Sequence, residues 1–298
     1  MAGVLSLAPS ARGQACCAGT GAVTPGRLAL HEIALVGLQA KTAGVLGSYD
    51  ESGRYVPAPA GAREVDLEQD AFAAVRIFER GQVALLVPLV ETWRSALGVS
   101  ELGGGVGDVN ASVRYDFTTA GASRTIPGLA ILTGVTLPTG RPPDAPNVGA
   151  LATGATGVGA YQFNFGAAFE QTFGAWLINA TGVVAARTPR TVGSGATAVR
   201  ERLAPQWTLL AAGAYTFAND WAAALSASYS VEGDATIDGA SVAATSHRAL
   251  TISLSGVVPL NELWRLQAAA SYNPQTSGVG QNQLTSVGGS LTFVHSWI

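Results

Sequence analysis

Apolar and polar residues alternate with a period of two along much of the sequence. The clearest case is residues 107–117, where Val109, Ala111, Val113, Tyr115 and Phe117 are separated by polar residues. A β-strand directs successive side chains to opposite faces, so this stretch has one apolar and one polar face. Such a strand suits a barrel with lipid outside and a watery lumen, and equally the surface strand of a soluble sandwich.

The composition separates these two architectures. Only 12% of the 298 residues are charged, against about 25% in typical globular chains, and 37 residues are glycine. A helical membrane protein would need runs of about 18 apolar residues. The longest clean apolar run here, residues 83–90, is shorter and contains Pro88. Apolar residues in alternation rather than in runs favour a transmembrane β-barrel.

Twelve segments follow the strand pattern, and the connections between them alternate in length. The first predicted strand lies within residues 28–49, and the others are residues 64–77, 83–93, 107–117, 129–137, 159–170, 176–184, 207–217, 221–231, 249–258, 264–272 and 284–297. Pro88 predicts a bulge or local break, and the glycines at 103–105 predict a connection. Connections after even-numbered strands are short, except residues 118–128, and those after odd-numbered strands are long. The predicted fold is all-β: an antiparallel transmembrane β-barrel of about 12 strands with short periplasmic turns and long extracellular loops.

Aromatic residues cluster at the short-turn ends of the predicted strands, which predicts a girdle at one membrane interface. Its predicted members are Phe117, Phe169, Trp176, Phe217, Trp221, Trp264 and Trp297. The last strand, with Leu291, Phe293 and Trp297 on one face, resembles the assembly signal of outer-membrane proteins. His295 in the same register and Ile298 after the aromatic residue depart from that signal. We expect the insertion machinery of the outer membrane to recognise this strand.

The chain divides into three predicted parts. Residues 1–15 resemble the remnant of a signal peptide, residues 16–27 could enter the lumen as a plug, and residues 28–298 form the barrel. The adjacent Cys16 and Cys17 are interpreted as incidental thiols, with lipidation of one as the alternative. The predicted location is the outer membrane of a Gram-negative bacterium.

Several short motifs occur in a recognisable order. They are Leu86-Val87-Pro88-Leu89, Gly105-Val106-Gly107-Asp108, Gly134-Val135-Thr136-Leu137-Pro138-Thr139-Gly140 and Thr153-Gly154. In this order the chain resembles the outer-membrane transporter family of the phenol meta-degradation pathway, over about residues 28–298. The resemblance implies a barrel that passes small, often aromatic or apolar, compounds.

The polar faces of the strands give the predicted lumen. The predicted lumen-lining residues are Glu64, Asp66, Glu68, Asp70, Asp108, Asn110, Arg114, Asp116, Gln162, Asn164, Glu170, Asn179, Arg265 and Gln267. These residues could guide a solute, or Arg114 and its acidic neighbours could simply compensate one another, and both interpretations stay open. Elsewhere the inward positions are small, as at Ala222, Ser226 and Ala212, which favours a narrow channel for a weakly polar molecule.

Enzymatic function has little support in the sequence. The only plausible base is His247, with Ser241 or Ser246 nearby, and no nucleophile elbow accompanies it. The sequence contains no phosphate-binding loop, metal-ligand cluster or basic nucleic-acid patch, so no cofactor, metal or nucleic acid is expected. The predicted function is passive diffusion of small, weakly polar or hydrophobic compounds. The predicted partners are therefore membrane lipid, the insertion machinery and a small solute. A structural or receptor barrel with a plugged lumen is the alternative, and an outer-membrane lipid hydrolase is less favoured.

Overall fold

The computed structural model describes residues 27–123, 125–193, 195 and 198–298. The described strands are β1 (Ala34–Tyr49), β2 (Tyr55–Pro57), β3 (Arg63–Ile77), β4 (Gly81–Ala96), β5 (Val99–Val106), β6 (Val109–Thr118), β7 (Gly128–Leu137), β8 (Gln162–Phe173), β9 (Trp176–Arg187), β10 (Arg190–Val192), β11 (Val199–Arg202), β12 (Gln206–Thr216), β13 (Ala222–Glu232), β14 (Thr236–Ile237), β15 (Ala240–Ser241), β16 (His247–Pro259), β17 (Trp264–Tyr272) and β18 (Leu284–Trp297).

Twelve of these strands form one closed antiparallel barrel. Their order around the wall is β1, β3, β4, β6, β7, β8, β9, β12, β13, β16, β17 and β18. The barrel closes where β1 pairs with β18, in a register that runs from Ala34↔Trp297 to Ser48↔Leu284. Closure pairs the strand edges with each other, which is the condition for a sheet to cross a hydrocarbon layer. The predicted fold of about 12 antiparallel strands is confirmed.

The connections differ between the two ends of the barrel. At one end the hairpins β3–β4, β8–β9, β12–β13 and β16–β17 turn within a few residues, and residues 119–127 make the longer β6–β7 turn. At the other end the loops are long, and β10, β11, β14 and β15 form a separate four-stranded sheet there. β1 begins and β18 ends at the short-turn end. The predicted alternation of short turns and long loops is confirmed.

The outer surface of the barrel is apolar. Leu38, Leu209, Leu225 and Leu254 on four different strands are each at least 60% exposed. Their strand neighbours on the other face, such as Gln39, Leu210 and Ser253, are buried. A continuous apolar belt of this kind suits a lipid surface rather than water.

No helix in the described part of the chain is long and apolar enough to cross a membrane.

The wall changes its pairing at Pro88, where the sequence predicts a bulge or break. β4 pairs with β6 as far as Leu86 and with β5 from Leu89 onward. Between these two pairings, the amide of Gly107 donates to the carbonyl oxygen of Pro88 at 2.8 Å. The break therefore lies in the partner of β4, at the junction of β5 and β6.

One expected connection is wrong. The first strand, expected within residues 28–49, is Ala34–Tyr49. Residues 103–105, expected to form a connection, belong to β5. β5 pairs through its backbone, so its glycines can continue a strand that shows no side-chain alternation.

Candidate functional site

One cluster of charged side chains lies on the inner face of β1 and β3. Lys41 of β1 places its Nζ atom 2.9 Å from Glu68 Oε1 and 2.6 Å from Asp70 Oδ2. Farther along β3, Asp66 Oδ1 accepts a hydrogen bond of 2.8 Å from the hydroxyl of Thr92. Glu64, Asp66, Glu68 and Asp70 therefore lie on one face, as the alternation of β3 predicts. Lys41 was not among the predicted residues.

A second cluster brings together predicted residues from three strands. Glu170 of β8 accepts hydrogen bonds of 3.1 Å from Arg114 Nη2 and from the side-chain nitrogen Nδ2 of Asn179. Arg114 also donates to Asp116 Oδ1, at 2.7 and 2.9 Å. The other oxygen of Glu170 accepts a hydrogen bond from Arg27, which precedes β1. These charges neutralise one another, as expected for ions held away from water.

Residues 27–33 lead into β1 at the short-turn end of the barrel; Leu28, Ala29 and Glu32 are buried, whereas Leu30, His31 and Ile33 are exposed. The amide of Leu28 donates to Gln82 Oε1 at 3.1 Å, and Glu32 accepts a hydrogen bond from Arg265. Leu28 packs with Leu35, Phe72, Ala74 and Val294 in a buried apolar cluster. The plug predicted for residues 16–27 lies outside the described residues except for Arg27, and the described contacts extend from Arg27 to Glu32.

Arg187 of β9 connects a third group near the long-loop end. Its guanidinium donates to Gln162 Oε1 at 2.8 Å and to Glu232 Oε2 at 2.7 Å. Gln162 in turn donates to Asn164 Oδ1 at 2.9 Å, and Asn110 donates to the hydroxyl of Thr136 at 2.9 Å. Arg187 and Glu232 were not predicted, because they lie in the connections expected after the strands 176–184 and 221–231, where alternation gives no direction.

Asp108 has a different environment from the other predicted lumen residues. Its carboxylate accepts hydrogen bonds of 2.8 Å from the amides of Gly140 and Val158. The hydroxyl of Thr139 donates to the carbonyl of Gly107 at 2.7 Å. Asp108 thus holds the two ends of the loop 138–161 against the junction of β5 and β6. The motifs that carry the family resemblance meet at this point.

Two cavities lie in the lumen. The larger, of about 470 Å³, is lined by apolar side chains and uncharged amides, together with Arg27 and Arg114. The apolar side chains include Phe72, Leu86, Leu132 and Val183, and the amides are Gln82, Asn110, Gln162, Asn164 and Gln206. The smaller, of about 340 Å³, is lined by Lys41, Asp66 and Glu68 and by serine and threonine hydroxyls of β13, β16, β17 and β18. The two cavities share none of these residues.

The predicted girdle residues lie at the short-turn end. Phe117, Phe169, Trp176, Phe217, Trp221 and Trp297 are exposed on the outer surface, and Trp264 is half-buried. Trp264 packs against Phe293 and His295, with ring centroids 4.6 and 4.3 Å apart, and His295 also contacts Trp297. His295, the departure from the assembly signal, therefore contacts the rings of both Trp264 and Trp297. The girdle's place at a membrane interface stays a prediction.

The loops at the opposite end carry little that suggests catalysis. His247 Nδ1 lies 2.6 Å from the carbonyl oxygen of Asn282, so this ring nitrogen contacts backbone rather than Ser241 or Ser246. The hydroxyl and amide of Ser52 and the amide of Arg54 donate to Asp50, which lowers the pKa of that carboxyl group to about 2. Among the described residues, no group of three or more His, Cys, Asp or Glu could hold a metal ion.

The closed wall, the apolar exterior and the polar lumen define an outer-membrane β-barrel. Its short turns, the start of β1 and the end of β18 face the periplasm, and its long loops face outward. The chain belongs in the outer membrane of a Gram-negative bacterium. An outer membrane channel from Pseudomonas putida F1 has a similar structure, with a TM-score of 0.74 and 15% identity over 90% of this chain and 97% of that one. The expected likeness to outer-membrane transporters is confirmed at the level of the fold.

Weaker structural similarities also occur. The TodX deltaS2S3 mutant, a monoaromatic hydrocarbon channel, gives a TM-score of 0.49 at 10% identity, over 89% of this chain and 91% of that one. The translocator domain of the autotransporter NalP from Neisseria meningitidis gives 0.48 at 12% identity, over 95% and 94%. No protein-family model matches the sequence. No curated protein matches it either.

Proposed function

We propose that the protein is a passive channel for small, weakly polar or hydrophobic compounds. The observation that carries this proposal is the larger lumen cavity, which combines apolar side chains with uncharged amides. A volume of about 470 Å³ falls in the range of small-molecule sites, roughly 300–1,000 Å³. Amides can exchange hydrogen bonds with a passing solute without the strong attraction that would hold an ion.

The fold similarity supports the same proposal. The protein from Pseudomonas putida F1 is an outer membrane channel, and it shares this barrel along nearly its whole length. The aromatic or apolar solutes implied by the family resemblance also suit a cavity with Phe72, Leu86 and Leu132 on its wall. A barrel of about twelve strands lies between packed small barrels and wide porins, so a narrow path is expected.

The alternative is a structural or receptor barrel whose lumen is plugged. Residues 27–33 favour it, because Arg27 and Glu32 bind opposite parts of the wall through Glu170 and Arg265. An outer-membrane lipid hydrolase is less favoured, since His247 contacts a backbone carbonyl. Loss of lipid hydrolysis in His247→Ala is the outcome that would revive it.

Conductance separates a channel from a plugged barrel. The purified full chain is reconstituted in a planar bilayer in potassium chloride, and solute flux is measured in liposomes. Discrete conductance steps together with solute flux support the channel. Folded protein, identified by its heat-modifiable migration in a gel, that gives neither conductance nor flux would overturn it.

A further inference from the structure

The smaller lumen cavity carries a chemistry that a path for weakly polar solutes does not require. Lys41, Asp66 and Glu68 form one part of its wall. The remaining wall combines small or apolar residues such as Leu210 and Ala269 with hydroxyl groups from four strands: Ser226, Ser228, Thr251, Ser253, Ser271 and Ser290. We call this space the acidic cavity.

Negative charge is in excess at the acidic cavity. Three carboxylates, Asp66, Glu68 and Asp70, stand against one ammonium group, that of Lys41. Arg94, the next cation along the wall, binds Glu64 at 2.8 Å. Charges inside a narrow barrel are normally compensated, so this excess favours a cation brought by the solute.

Two polar residues beside the acidic cavity have partners within the barrel. Gln39 and Asp70 lie opposite each other in the β1–β3 register, one step along the faces that carry Lys41 and Glu68. Both are at most 2% exposed; the side-chain amide of Gln39 donates to Thr292 Oγ1 at 2.7 Å, and Asp70 Oδ2 lies 2.6 Å from Lys41 Nζ. The carboxylates that a solute in the cavity can reach are therefore those of Asp66 and Glu68, which line it.

We propose that the acidic cavity selects small organic amines in their protonated form. The ammonium group binds Asp66 and Glu68, and the serine and threonine oxygens accept its remaining N–H groups. A volume of about 340 Å³ accommodates a solute of roughly ten non-hydrogen atoms, because a water molecule takes about 30 Å³ in the liquid. The selection rests on the channel function proposed above and adds protonated amines to the solutes that the channel passes.

Reversal potentials test this selection with two salts of matched organic ions. The full chain is placed in planar bilayers under concentration gradients of benzylammonium chloride and, separately, of potassium benzoate. The two organic ions share one ring and differ in the sign of the charge. We expect benzylammonium to permeate about tenfold more readily than chloride, and benzoate less readily than potassium, since an acidic path concentrates cations.

Two variants assign the preference to the acidic cavity. Asp66→Asn with Glu68→Gln leaves the Lys41–Asp70 pair in place and should bring the permeability ratio close to one. Asp66→Asn alone keeps the whole Lys41–Glu68–Asp70 cluster, so it provides an intermediate ratio even where the double variant folds poorly. Glu262→Gln, an exposed carboxylate in the β16–β17 turn, is the matched control and should keep the ratio of the parent chain.

The outcomes separate the two proposals. Conductance in potassium chloride without preference for benzylammonium overturns the amine selection and leaves the channel standing. A preference that survives both variants overturns it too, because the selectivity would then arise elsewhere. Folded protein without any conductance overturns the channel function and the amine selection together.

Discussion

Glu170 is the carboxylate at the centre of the second charged cluster of the lumen. Its side chain is 3% exposed and accepts hydrogen bonds from Arg27, Arg114 and Asn179. Removing one partner of a buried ion pair leaves an uncompensated charge, which costs more than the pair itself contributes. The cluster therefore stabilises the barrel only while Glu170 is ionised.

Replacing Glu170 by Gln should lower the free energy of unfolding by about 3–5 kcal/mol, because Arg27 would lose its carboxylate and Arg114 one of two. Urea unfolding of the folded barrel in micelles, followed by tryptophan fluorescence, measures the change. Glu262→Gln makes the same chemical change at an exposed turn and should stay within about 0.5 kcal/mol of the parent. Equal stability of the two variants would contradict this account of the cluster.

At the scale of elements, the loop 138–161 is built into the wall rather than attached to it. Gly103 of β5 lets the loop pack closely, since a Cβ atom there would lie 2.5 Å from Thr153 Oγ1. Arg94 of β4 donates to the carbonyl of Leu151 at 2.8 Å. Asp108 also accepts hydrogen bonds from the amides of Gly140 and Val158, near the two ends of the loop. Together these contacts hold the loop against the inner face of β5.

Asp108→Asn should release the loop, because an amide replaces a carboxylate that accepts two backbone N–H groups, and such charged hydrogen bonds contribute about 1.5–3 kcal/mol each. Trypsin cleavage after Arg141 in proteoliposomes, followed by mass spectrometry, should become about tenfold faster for each 1.4 kcal/mol lost. Asp234→Asn is the control, since Asp234 Oδ1 accepts the amides of Thr245 and Ser246 in another loop. Unchanged cleavage after Arg141 in Asp108→Asn would show that other contacts hold the loop.

The wall strands could be predicted from the sequence, but the region around β5 and Asp108 could not. Alternation places the wall strands correctly, because each has one face in lipid and one in the lumen. It fails at residues 103–105, where glycines replace the alternating side chains. It also cannot identify the partners of Asp108, which lie 32 and 50 residues away. Long-range hydrogen bonds of this kind leave no periodic signal.

Over the whole molecule, the strand count, the closure of the sheet and the difference between the two ends could be predicted from the sequence. A sheet in lipid can satisfy all its backbone polar groups only by closing into a barrel. The lumen is harder to predict. Lys41 was missed because β1 was the least regular strand, and its register with β18 shifts between Val45 and Gly47. Residues 28–33 were expected to belong to the barrel, and the sequence does not indicate that Glu32 binds Arg265 of the lumen wall.

We expect those residues to restrict conduction through the barrel. Arg27 binds Glu170 on β8, and Glu32 binds Arg265 on β17, so the segment is held from two sides of the wall. The amide of Leu28 adds a hydrogen bond to Gln82 on β4. We expect a segment attached in this way to narrow the periplasmic end, and its release should be an equilibrium that mutations can shift.

Arg27→Ala combined with Glu32→Gln should weaken both attachments while leaving Glu170 paired with Arg114. We expect the larger conductance state to become about tenfold more populated for each 1.4 kcal/mol of attachment lost. Single-channel recording in potassium chloride measures the occupancy of each state. Arg54→Ala, which removes an exposed ion pair with Asp50 at the opposite end, is the control and should leave the occupancies unchanged. Identical conductance in the double variant and the parent would mean that residues 27–33 do not limit the path, and the extracellular loop 138–161 would then be the remaining constriction to examine.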